Sequence, residues 1–238
     1  MITFQTGHPD YYSPPFTKPI WRHMDYVQFI SLLAKRALHF ARPSTFPDLF
    51  EGALTPSSRT AAKELAKIQA ELRESTFLNC WYEGEEESAA MWERKPNAVA
   101  IKTDPTGLSR GIRVVPGMHI YIGRVTYIDY EKDPAPLDNT FSHFLLKRTN
   151  YSHEREVRAM ARAMQRSGQR PHDPPLELAP PHAAGLYVDV DLGVLIKQVV
   201  ASPIIPGYAL EALQSVVNAY GLDCPIARST LAEHPPLG

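Results

Sequence analysis

Runs of β-favouring residues and helical runs alternate along this chain, but the connections between them vary in length, and that irregularity decides the fold class. A regularly wound parallel sheet needs evenly spaced crossovers, so the pattern points to an α+β protein with a twisted mixed β-sheet and flanking helices. Residues 20–24 read as a strand. Asp25 is a good helix N-cap, and Tyr26, Phe29, Ile30, Leu33 and Ala37 follow at helical spacing. Strands are expected at residues 38–41, 77–82, 98–103, 186–190, 197–202 and 225–229. A long strand over 119–130 should bend near Gly123. Helices are expected at 57–74, from its Ala, Glu, Lys and Leu content, and at 88–94 and 141–148. Another runs through Leu210, Leu213, Val217 and Tyr220 to a stop at Gly221. Residues 154–161 read as a strand by alternation, with a helix as the alternative. Five to seven strands should make the sheet.

The chain reads as one domain over 20–231. A Pro-rich extended lead-in (1–19) precedes it, a Pro-rich surface loop (168–184) interrupts it, and a frayed tail (232–238) follows. Hydrophobic residues make up 44% of the sequence, enough for a core. The net charge of -1 gives no global footprint for nucleic acid or anionic membrane. The N-terminus lacks the basic and apolar regions of a signal peptide, and no apolar run is long enough for a membrane span. A cytoplasmic location is therefore expected. Cys80 and Cys224 are not in a CxxC pair and read as reduced thiols. No GxGxxG, Walker or GxSxG motif is present, which disfavours the chemistries those loops support.

Four blocks of residues carry a resemblance. The first joins residues 21–24 to 38–43, Asp48 and Phe50, Glu51 and Gly52. The second joins Asn79, Cys80 and Trp81 to Met91, Trp92 and residues 99–101. The third joins residues 125–127, Lys147 and 154–158. The fourth joins 196–203 to Tyr220, Gly221 and Leu222. In this order they resemble the domain-of-unknown-function 2971 family of bacteria and phages, across residues 20–231. Lys95 and Pro96 stand where the family carries a tyrosine, and the loop after Arg158 is longer than usual. The family has no agreed activity. The resemblance implies a phage-defence setting.

The segment from Glu154 to Arg158 holds the most chemistry. On a strand, Glu154, Glu156 and Arg158 share one face. They then form either a structural ion-pair ladder or the lining of a site. The order of a strand bearing Arg22 and His23, a helix, a strand, and a late glutamate is similar to ADP-ribosyltransferase folds, including DNA-modifying toxins. That likeness implies NAD as co-substrate and a protein or nucleic-acid target. Its candidate roles are Glu154 or Glu156 for catalysis and Arg22, His23, Trp81, Tyr82 and Arg158 for binding the dinucleotide. A fixed carboxylate would stabilise the oxocarbenium-like cation that forms when the glycosidic bond breaks. Two other readings stay open. One is a non-catalytic sensor or interaction protein. The other is a metal-dependent nuclease using Glu154, Glu156, Asp129 and His153, with Lys147 on a phosphate. Asp48 reads as a turn residue, and Trp81 and Trp92 read as core.

Overall fold

The computed structural model describes residues 2–4, 18–53, 62–93, 98–115, 117–133, 142–163 and 183–232. In chain order the strands are β1 (Ile2–Phe4), β2 (Ile20–Asp25), β3 (Ala37–Ala41), β4 (Thr76–Glu83), β5 (Ala98–Thr103), β6 (Met118–Arg124) and β7 (Thr126–Ile128). They continue with β8 (Leu146–Arg148), β9 (Glu156–Ala163), β10 (Gly185–Asp189), β11 (Gln198–Ala201) and β12 (Ile226–Arg228). The helices are α1 (Tyr26–Lys35), α2 (Ala62–Ser75), α3 (Ala89–Glu93), α4 (Pro105–Gly111), α5 (Leu192–Leu195) and α6 (Gly207–Ala219). This is the α+β, mixed-sheet class that the alternation implies, with more strands than the five to seven expected. Most of the Pro-rich loop, most of the lead-in and most of the tail lie outside the described residues.

The chain forms two compact units. The first comprises residues 1–13, 39–80 and 114–188. In it β1 pairs with β6 in parallel, β6 pairs with β9 antiparallel, and β9 neighbours β4. β3 joins β4 antiparallel through Ala41 and Leu78, and β10 pairs with β3. Strand β9 is buried on both faces: Val157, Arg158, Ala159, Met160 and Ala161 are all at 0% exposure. A strand covered on both sides normally carries apolar residues throughout, so Arg158 in this run needs partners. Leu72, Leu78, Phe144, Leu145 and Met160 form the adjoining apolar cluster.

The second unit comprises residues 14–38, 81–113 and 189–238. Its sheet runs from the end of β4 through β2, β5 and β11 to β12, antiparallel except for the β11–β12 pair. Asp25 caps α1 as expected: its carboxylate accepts from the Gln28 amide at 2.7 Å, and the Gln28 side chain returns to the Asp25 amide. That reciprocal pairing satisfies two donors a helix start otherwise leaves open. Trp21, Tyr82, Trp92, Ala98, Ala100 and Val200 make its aromatic cluster.

Three local departures matter to the site. The strand expected over 119–130 is two strands. β6 ends at Arg124, the Val125 amide donates to the Glu156 carbonyl at 2.9 Å, and β7 leaves to pair in parallel with β8. The break therefore falls after Gly123. That glycine serves a close approach instead, since a Cβ there would lie 2.7 Å from Leu145 Cδ1. The helix expected over 141–148 is a 3-10 turn, Ser142–Leu145, followed by β8. The strand expected from residue 154 starts at Glu156, and Glu154 closes a 3-10 turn, Thr149–Glu154.

Candidate functional site

The first unit gathers its charged side chains from four short pieces of chain. A turn after β3 brings Asp48, Phe50 and Glu51. β8 brings Lys147 and Arg148. The 3-10 turn brings Tyr151 and Glu154, and β9 brings Glu156 and Arg158. Between the two acids lies Arg155, at φ 39 and ψ 53. A left-handed backbone is costly for a residue with a Cβ. Here it turns the chain from the 3-10 helix into the strand. Alternation along an extended strand would also have put Glu154 and Glu156 on one face. The observed turn instead brings them to one cation by a different route.

That cation is Lys147. Its Nζ donates to Glu154 Oε2 and, at 2.8 Å, to Glu156 Oε1, and lies 3.7 Å from Glu51 Oε1. Arg158 holds the other side. Its Nε donates to Glu156 Oε2 at 2.6 Å. Its two terminal nitrogens fork onto Glu51 at 2.7 and 2.9 Å, and Nη1 also donates to the Phe144 carbonyl at 2.7 Å. The Glu156 backbone amide donates to the Tyr127 hydroxyl at 2.8 Å. The cluster is shielded from water: Arg158 is at 0% exposure, Glu51 at 1%, Glu154 at 3%, Lys147 at 5% and Glu156 at 9%. In so dry a place each ion pair has to offset a large desolvation cost, which takes near-complete hydrogen bonding.

The two acids titrate in opposite directions. Burial opposes charge on Glu156, but Arg158 and Lys147 outweigh it and hold the carboxyl below the usual range. Burial pushes Glu154 up. Its hydrogen bond to Glu156 adds to the rise, against the pull of Lys147. Burial also opposes the charge on Lys147, yet Glu156 and the bonds to both acids keep its pKa above the ordinary value. Cys80 on β4 feels the same surroundings. Burial, with the charge of Glu156 behind it, pushes the thiol up to about 12. Burial likewise raises the Tyr127 hydroxyl to about 12.

These last two shifts have a sign that can be measured. A raised pKa means that the folded state keeps a proton the unfolded chain has lost. The stability contributed is full below about pH 9 for the thiol and about pH 10 for the phenol, and it is lost as pH rises toward about 12 in each case. Urea unfolding followed by fluorescence should show the unfolding free energy falling across that window. Cys80→Ala should flatten the first part of the fall. A Cys80→Ala profile that overlays the native one would remove the thiol from the account.

The sequence candidates divide between the units. Glu154, Glu156 and Arg158 come together in the first, as one network with Glu51 and Lys147. Arg158, expected to bind the dinucleotide, is wholly enclosed and spends its guanidinium on holding Glu156. Arg22, His23, Trp81 and Tyr82 belong to the second unit. There the His23 ring stands edge-on to Trp92 at 4.6 Å and to Tyr82 at 6.5 Å, and Lys102 lies 4.4 Å over Trp21. Trp81 and Tyr82 are 1% and 6% exposed. Of the nuclease candidates, Asp129 pairs with Lys132 at 2.8 Å and His153 is exposed. Among the described residues no three His, Cys, Asp or Glu side chains gather as a metal site.

Asp48 is the turn residue expected, accepting from the Phe50 amide at 3.1 Å, and it also binds Arg148 Nη2 at 2.8 Å. The Arg148 guanidinium stacks at 4.6 Å over Phe50 and at 5.4 Å from Tyr151. Sequence reasoning gave Glu51 no role and linked Lys147 only to a phosphate. The signal for both was their place in the blocks that carry the family resemblance.

No family model matches this chain, and neither does any curated protein. Among solved structures it is similar to two of the Thermus sp. 2.9 protein DarT. The structure in complex with NAD+ has 7% identity and a TM-score of 0.44, with 93% of this chain and 100% of that chain covered. The structure in complex with ADP-ribosylated ssDNA has 8% identity and a TM-score of 0.41, with 92% and 97% covered. A likeness so slight carries no argument about function.

Proposed function

We propose that this chain is an NAD-using enzyme of the ADP-ribosyltransferase type, with Glu154 and Glu156 as its working carboxyl groups. The observation that supports the reading is the pair itself. Two neighbouring acids bond one lysine, Lys147, and their surroundings differ: Arg158 and Lys147 lower the pKa of Glu156, while burial raises that of Glu154. Pairs separated in this way divide the roles in glycosidic chemistry. The bond between the ribose C1′ and the nicotinamide nitrogen breaks, and nicotinamide leaves with the electron pair. The fixed charge of Glu156 favours the cation left on C1′. Once ionised, Glu154 is a stronger base than an ordinary carboxylate and takes the proton of the acceptor nucleophile as it bonds to C1′.

A protein or nucleic acid is proposed as the acceptor. A role in phage defence is proposed on the family resemblance alone, and a cytoplasmic location on the sequence reading.

A second reading has an observation of its own. Both Glu156 oxygens and the Arg158 fork are fully engaged within the network, as in a cluster that serves only to hold the fold of a sensor or interaction protein.

The two readings part on one assay. The protein incubated with NAD should release nicotinamide, and Glu154→Gln should slow that release at least about 100-fold while the far-ultraviolet spectrum is kept, the scale general acid–base groups supply. No release from the native protein, with protein and nucleic-acid acceptors both supplied, would leave the structural reading standing.

A further inference from the structure

Beside the enclosed charges lies a half-exposed stack that the proposed reaction does not use. Phe50 precedes Glu51 on the turn after β3, and Arg148 follows Lys147 on β8. Glu51 and Lys147 are buried, while Phe50 is 38% exposed and the Arg148 side chain 37%. The Arg148 guanidinium covers the Phe50 ring at 4.6 Å, and the Tyr130 ring meets that ring edge-on at 5.1 Å. Arg148 is held there through Nη2, which donates to Asp48 Oδ1 at 2.8 Å and to the Tyr151 hydroxyl at 3.4 Å. Its Nη1 makes no hydrogen bond among the described residues. A guanidinium already fixed flat against a ring costs a ligand little side-chain entropy to use. Tyr151 joins this stack to the acids. Its ring stands 5.4 Å from the Arg148 guanidinium, and Lys147 Nζ, which bonds Glu154 and Glu156, lies 4.8 Å over the same ring. In residues 148–155 the one acid, Glu154, is enclosed, whereas Thr149, Asn150, Ser152, His153 and Arg155 are exposed.

We propose that Phe50, Arg148 and Tyr151 form a stacking platform for an unpaired base of single-stranded nucleic acid, and that such a strand is the acceptor. The acceptor role rests on the proposed function; the platform itself does not. Every base has a π-face, and aromatic rings and guanidinium planes stack on it. The base must be unpaired, because in a duplex its neighbours cover both faces. A dinucleotide fits this surface less well. Cofactor sites are concave and bury most of the ligand, whereas this stack is open, with Leu49 next to Phe50 in the chain at 82% exposure. A protein partner fits less well too. Its interface needs an apolar centre, and here the chain beyond Arg148 carries the polar Thr149, Asn150 and Ser152. Charge helps on one flank only. The loop that contains Tyr130 holds Asp129, Glu131 and Asp133 with Lys132 as its single cation. Affinity therefore comes from stacking more than from phosphate neutralisation, which suits a chain of net charge -1.

The test is equilibrium binding by the full chain without NAD, read as fluorescence anisotropy. The probe is a labelled oligothymidylate of about ten nucleotides, a span one small domain covers. The single strand should bind, and the same strand annealed to its complement should bind at least about ten-fold more weakly. Phe50→Leu keeps an apolar side chain but removes the ring, and should weaken binding about ten-fold or more, the scale of one base stack. Arg148→Lys keeps the charge without the plane and should weaken it similarly. Phe50→Trp should retain it. Tyr208→Ala, which removes an exposed ring from α6, should leave it unchanged. The proposal is overturned by no binding to the native protein, by duplex binding as tight as the single strand, or by native affinity in both Phe50→Leu and Arg148→Lys. Displacement of the strand by an equal concentration of NAD would assign the platform to the dinucleotide and overturn it as well. Should Phe50→Leu fail to fold, the strand–duplex comparison and Arg148→Lys still decide. A protein that binds the strand but releases no nicotinamide keeps the platform and loses the reaction. One that releases nicotinamide but ignores the strand does the reverse.

Discussion

Arg158→Met should lower the unfolding free energy by about 3–5 kcal/mol, the range seen when one partner of a buried ion pair is removed. The guanidinium is at 0% exposure and spans Glu51, Glu156 and the Phe144 carbonyl, so its loss takes both fork bonds from Glu51, a donor from the carbonyl, and leaves Glu156 with Lys147 as its remaining cation among the described residues. Desolvation is what sets the size. The methionine fills most of the volume, so the loss measures unpaired charge more than a cavity. Two companions sharpen the reading. Arg158→Lys keeps the charge but cannot fork onto Glu51 while reaching Glu156, so it should recover only part of the loss. Glu51→Gln with Arg158→Met removes an orphaned charge and should cost less than the sum of the single changes. Urea denaturation with matched slopes decides it. A loss under about 1 kcal/mol for Arg158→Met would mean the network is open to water.

How the site was legible follows from the same residues. The pattern from Glu154 to Arg158 stood out because alternation put two carboxylates and a guanidinium on one face of an expected strand. The identity of their partners could not be read, because Glu51 is 107 residues from Arg158 in the chain and Lys147 reaches Glu154 around a 3-10 turn that no periodicity reports. The turn at Arg155 was hidden for a related reason. Alternation cannot distinguish an extended strand from a 3-10 turn closed by a left-handed residue, since both carry Glu154 and Glu156 to the same side. Strand and helix positions fared better. Helix α1 and its Asp25 cap, and strands β2, β4 and β5, depend on local spacing and capping chemistry, and those are written in the sequence. Helices α4 and α5 went unseen because both are short. Their caps, Asp104 and Asp191, precede runs with too few turns to show a period.

The second large effect is expected at Phe144, which ties the apolar cluster to the charged one. Its ring is 1% exposed and packs with Leu72, Leu78, Leu145 and Met160, while its carbonyl accepts from Arg158. Phe144→Ala should cost about 3–5 kcal/mol, the transfer free energy of the ring plus the cavity it leaves. The backbone bond to Arg158 survives this change, so the loss should be independent of pH between 6 and 8. Gly52 supplies the internal check. A Cβ there would lie 2.7 Å from Phe144 Cε1, and the residue has φ 68, so Gly52→Ala suffers both a clash with the ring and left-handed strain. With the ring gone only the strain remains, roughly 1–2 kcal/mol. The double variant should therefore be less destabilised than the two single losses added together, a favourable coupling that a double-mutant cycle measures directly. Strict additivity would mean that the ring does not rest on the Gly52 turn. The turn that presents Glu51 would then owe its position to something other than the packing of Phe144.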